Sequence, residues 1–122
     1  MNDVEESTSQ GKIESARNKL KMAKEQLLRA KTTLDNDDYY SSLPPEEQPK
    51  ALMLSMQIGP EILKIENAQI ALIVDQVESN SNALETATSE LNDALSDLQN
   101  FTRVLKAIGS VLGLVSKILI PV

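Results

Sequence analysis

The amino-acid sequence predicts an all-α protein, and three observations carry the prediction. Leucine returns at every seventh position through the second half of the chain, at Leu84, Leu91, Leu98, Leu105, Leu112 and Leu119, with Ala87, Ala94, Phe101, Ile108 and Val115 each three residues further on. Such 3-4 spacing is the seam of a coiled coil, because a slightly underwound helix keeps those positions on one line. A second seam, Ile13, Ala16, Leu20, Ala23, Leu27, Ala30 and Leu34, runs near the N-terminus and alternates large residues with alanine, which lets two helices approach closely. The third observation is compositional: aromatics are 2% of the chain, with four Gly and five Pro, too few aromatic and turn residues for a many-stranded protein. The expected architecture is an elongated antiparallel helical hairpin or a three-helix bundle, with Leu/Ala coiled-coil packing and a long C-terminal helix.

In chain order, residues 1–11 are acidic and polar and are expected to be disordered, ahead of a single helical domain over 12–122. The first helix is expected over 12–35. Asp37 falls where an apolar seam residue is due, and Pro44, Pro45 and Pro49 mark the main connection. Tyr39 and Tyr40 are expected to cap the end of the bundle.

A short helix follows over 46–57, densely apolar through Leu52, Met53, Leu54, Met56 and Ile58. Gly59-Pro60 interrupts it, with Pro60 at the first turn of the next helix or at a kink. The last helix is expected over 61–119. Its one candidate break lies at 79–82, where Asn82 and Glu85 have capping-box logic. The heptad phase argues instead for continuity, with Asn80 as a polar seam residue that fixes register.

Charge is segregated. Residues 12–31 carry seven bases and two acids, 32–100 carry thirteen acids and two bases, and 101–122 carry three bases and no acid, within a net charge of −6. The basic first helix is expected to face the acidic middle. That leaves no unopposed basic face for nucleic acid.

Chemistry is hard to place on this chain. Without Cys or His it lacks disulfides, thiolate nucleophiles, the usual zinc ligands and the commonest general base. Asp35, Asp37, Tyr39, Ser41 and Glu46 approximate the spacing of a calcium loop, but Tyr40 stands where the turn needs Gly and two prolines crowd the end. A basic-zipper reading fails too, since residues 61–83 hold Lys64 alone against four acids. No catalytic residue, metal, cofactor or small-molecule substrate is expected.

The C-terminal segment is unusual. From Val104 onward most residues are apolar, and only a narrow strip around Arg103, Lys106, Ser110, Gly113 and Lys117 stays polar; in composition it looks like short cationic membrane-active peptides. Gly109 and Gly113 form a G-x-x-x-G, which permits close helix approach. Arg103, Lys106, Val111, Leu114, Lys117, Ile118 and Ile120 are the candidate docking residues.

The expected function is a non-enzymatic coiled-coil assembly or interaction protein, docking through its hydrophobic C-terminal helix to a second copy or a helical partner. The alternative is a membrane-active helical protein, a small toxin or pore component, adsorbing to an anionic surface through residues 103–122. The N-terminus has no basic start and no apolar run, so no cleaved signal peptide is expected, and the location is soluble or peripheral to a membrane.

Overall fold

The computed structural model describes residues 2–120, with side chains from residue 10 onward. The protein is all-α: six helices pack on one another, and no strand occurs among the described residues. They are α1 (Asn2–Leu34), α2 (Asp37–Ser42), α3 (Gln48–Asn67), α4 (Ile70–Ser79), α5 (Ser81–Ala94) and α6 (Phe101–Leu119).

Helix α1 places its seam where the spacing predicted. Ala16, Leu20, Ala23, Leu27, Ala30 and Leu34 are buried, and Ile13 is half-buried at the open end. Its backbone begins at Asn2 rather than at Lys12, so the helix runs through the segment expected to be disordered. The side chains of residues 1–9 and all of Met1 lie outside the described residues, as do Pro121 and Val122.

The connection after α1 is a single helical turn and a half. Asn36 caps α2 by accepting from the Tyr39 N–H at 3.0 Å, and Asp37 and Asp38 occupy its first turn, where the helix dipole favours them. Tyr39 and Tyr40 pack against the core here.

Helix α3 has Pro49 in its first turn and then passes through Gly59-Pro60 without a break, in place of separate helices over 46–57 and from 61. The missing N–H of Pro60 would have bonded the Met56 carbonyl. Both residues are exposed, so water reaches the side of the helix where that bond is lost.

The helix expected over 61–119, with its one candidate break at 79–82, is interrupted there and at two further places. At Ala68 and Gln69 two residues turn extended, with ψ of 135° and 93°, and the chain reverses. At Asn80 it only bends: the Asn80 N–H still reaches the Gln76 carbonyl at 3.2 Å, and the Leu84 N–H reaches the Asn80 carbonyl at 2.8 Å. Its side-chain amide also donates to the Gln76 carbonyl at 2.8 Å, so Asn80 acts on the local backbone rather than across a seam. At residues 95–100 the chain reverses again, and Asn100 caps α6 by accepting from the Arg103 N–H.

These reversals give the bundle four sides: α1, α3, the bent pair α4–α5, and α6. Polar contacts fix their directions. Lys31 lies near Ser55 and Lys24 near Glu66, so α3 is antiparallel to α1. Lys19 reaches Ser81 at 2.6 Å and Arg29 reaches Asn92 at 2.8 Å, so α5 is parallel to α1. Arg103 reaches Glu90, so α6 is antiparallel to α5. The basic helix does face the acidic middle, through pairs such as Lys19–Glu85 and Lys24–Glu66.

Helix α6 packs on α1, α3, α4 and α5, whereas α3 and α5 do not meet. The cross-section is thus a rhombus with α1 and α6 on its short diagonal. That placement buries Val104, Leu105, Ala107, Ile108, Val111, Leu112, Val115 and Ile118 within the chain's own core. Burying eight such side chains removes the apolar surface that, on a long unaccompanied helix, would have demanded a partner or lipid.

Candidate functional site

The second seam survives the reversal at 95–100 almost intact in burial but not in continuity. Leu84, Ala87, Leu91 and Ala94 are buried on α5, and Leu105, Ile108, Leu112 and Val115 on α6, with Phe101 and Leu119 half-buried. Leu98 lies in the turn and is 39% exposed, so it is no seam residue. Among the candidate docking residues, Val111 and Ile118 are fully buried and cannot meet a partner while the bundle is intact. Leu114 is half-buried, and Arg103 is engaged with Glu90 at 2.7 Å. Lys106, Lys117 and Ile120 remain exposed.

What the sequence did not reveal is the outer face of α3. Leu52, Met53, Met56 and Leu63 point to solvent there, Met56 with 69% of its surface exposed, and Leu72 of α4 extends the row at 73%. On a helix, positions 52, 56 and 63 fall within one narrow arc, and 53 and 60 widen it toward α6. The signal was present as an unusually dense apolar stretch. It could not be split into inner and outer faces until α3 was seen to run through Pro60.

Beside this ridge lies a groove between the parallel helices α3 and α6. Three concavities follow one another along it. The first is bounded by Met53 and Gln57 on one wall and Thr102 and Lys106 on the other. The second, of about 500 Å³, lies between Met56, Pro60 and Glu61 and the backbone of Gly109 and Gly113. The third lies at the groove's end, where Leu63 and Lys64, the turn at Ala68 and Gln69, and Leu72 of α4 meet Leu119. A Cβ built on Gly109 or Gly113 would meet no atom within 4 Å, so the G-x-x-x-G is not spent on close packing inside the chain. Instead the two glycines keep the groove floor open.

The groove's charges are mostly matched. Glu47 pairs with Lys50 at 3.6 Å and Glu61 with Lys64 at 3.2 Å. The second oxygen of Glu61, Oε2, is buried and accepts no hydrogen bond. Lys106 and Lys117 are exposed and make no ion pair among the described residues. The surplus of this surface is therefore cationic, on a chain of net charge −6.

Elsewhere, the side chains with chemical potential are tied into the scaffold. Ser55 donates to Asp35 and receives Lys31 at 3.4 Å, in a cluster that fastens α3 to the end of α1. The Ser55 hydroxyl holds the Asp35 carboxyl below the ordinary carboxylate range, with Lys31 adding to the effect and partial desolvation opposing it. Ser55 is buried, so this serine is not presented to a substrate. Burial pushes the Tyr39 phenol up, and its hydroxyl lacks a partner. Among the described residues no three acidic side chains gather as a metal site, and no helix is long and apolar enough to cross a membrane. No protein family, curated protein or solved structure matches the chain.

Proposed function

We propose that the protein is a non-enzymatic helical interaction module, which binds a protein partner along the outer face of α3 and the adjoining α6 edge. The observation that carries this reading is the unpartnered ridge of Leu52, Met56 and Leu63, widened by Met53, where more large apolar side chains are exposed on one helix than anywhere else among the described residues. Methionine suits such a role, because its unbranched, polarizable chain adapts to a partner's contours. The C-terminal helix contributes by its exposed edge, not by the apolar face expected to dock, which is occupied in the core.

Site-specific photocrosslinking in the producing cells tests the reading, with the crosslinker at Met56 or Leu63 and, for comparison, at Asn92 on the polar side of α5. Protein adducts at the α3 positions and none at Asn92 support it. Adducts at neither α3 position, or to lipid alone, overturn it, and lipid adducts would favour a membrane-active protein.

A further inference from the structure

We infer that the partner presents an acidic-edged amphipathic helix, seated in the α3–α6 groove with its apolar face on the Met53–Met56–Leu63 ridge and its acids against Lys106 and Lys117. The inference rests on the interaction reading above and narrows it to one occupant.

Three features of the groove select that occupant. It runs along two parallel helices from Met53 and Thr102 at one end to Leu63 and Leu119 at the other, about three turns of α3 and nearly five of α6, which suits a rod rather than a compact ligand. Its floor is lowered where Gly109 and Gly113 carry no side chain, and this admits a helix close to the α6 backbone. Among the described residues its unmatched cations are Lys106, which lines the groove, and Lys117, about three turns further along the same edge of α6, since Lys50 and Lys64 are already opposed by Glu47 and Glu61.

Lys106 and Lys117 stand eleven residues apart on α6, about three turns or ~16 Å, and hence on the same edge. A partner helix lying along the groove meets both with acids at the same spacing. A second copy of this chain fits poorly. Beside the acids of α5 the concavity with α1 offers Met22 as its one exposed large apolar side chain, not a row, and the chain's own ridge brings Lys50 and Lys64 rather than surplus acids. An anionic membrane shares the cationic and apolar chemistry and is separated by experiment.

The test uses the full chain and a synthetic helical peptide of about 18 residues, ~27 Å long, with leucines along one face and two glutamates eleven residues apart on its edge. A counterpart peptide carries lysines at those two positions, and phosphatidylglycerol vesicles serve as the lipid probe. The glutamate peptide should bind at least about tenfold more tightly than the lysine peptide, and less tightly as salt rises. Lys106→Glu with Lys117→Glu should invert that preference. Gly113→Leu, whose added side chain enters open groove, should weaken binding at least about tenfold without lowering the melting temperature.

Equal binding of both peptides, no binding of either, or a charge swap that leaves the preference unchanged overturns the acidic-helix inference. The interaction reading survives that failure if crosslinked protein adducts at Met56 persist, and falls with it if they do not. Two further results would replace the occupant. Vesicle binding lost on Met56→Glu assigns the ridge to lipid, and a dimer in light scattering that Met56→Glu dissociates assigns it to a second copy.

Discussion

Arg103 Nε donates to Glu90 Oε1 at 2.7 Å across the turn that joins α5 to α6. In one unbroken helix, residues thirteen apart would stand about 20 Å from each other. Glu90 is the first support of the Arg103 charge, and the fields of Asp93 near the end of α5 and Asp97 in the loop beyond it add to it. Acids at a helix C-terminus are ordinarily unfavourable, and this arginine offsets them from the neighbouring helix.

The reversal implies sharply different roles for leucines that look equivalent in sequence. Leu91→Ala should cost about 2–5 kcal/mol, because Leu91 is fully buried and a cavity would remain. Leu98→Ala, at a half-exposed turn position, should stay within about 0.5–1 kcal/mol of the parent. Urea melts of the two variants check this, and similar costs would restore Leu98 to the core.

The seam reading survived this turn in sequence for a geometric reason. Leu91 and Leu105 are fourteen residues apart, so two heptads span the end of α5, a six-residue loop and the start of α6 without a change of phase. Leu98 fell in register by chance. The competing signal was the polar cluster Ser96, Asp97 and Asn100, of which Asn100 is the actual cap. At Ala68 and Gln69 the signal was weaker still: neither Gly nor Pro marks the reversal, and Asn67, the last residue of α3, is the sole turn-favouring residue beside it. The all-α class and the α1 stripe were legible because periodicity reports local faces. Which faces meet, and hence that α6 is enclosed while the α3 ridge is bare, depends on where the chain turns.

Gly109→Ala and Gly113→Ala should each stabilise the fold by about 0.5–1 kcal/mol. Both lie inside α6, where glycine carries an entropic penalty, and a methyl at either meets nothing. Thermal or urea unfolding measures the gain. Destabilisation would mean that these glycines are a packing contact rather than an open floor.

Acid should weaken the bundle through Asp35 and Glu90. Both carboxyls sit below their ordinary values, held by the Ser55 hydroxyl and by Arg103 respectively. A depressed folded pKa gives stability that is complete above the unfolded value, about pH 4, and is lost as pH falls through the folded value. Asp35→Asn should therefore flatten part of the decline in melting temperature below about pH 4. An unchanged acid profile would contradict the Asp35–Ser55 link.

The central claim is that α6 is covered by its own chain because the chain reverses at residues 95–100. The chain has no native cysteine, so spin labels can be placed cleanly at Asn82→Cys and Ser110→Cys, both exposed. With α5 and α6 packed antiparallel, pulsed electron paramagnetic resonance should give a distance under about 20 Å, as expected for neighbouring helices and their label arms. A distance near 42 Å, the length of an uninterrupted helix of about 28 residues, would contradict the account and free the apolar face of α6 for another chain or a membrane.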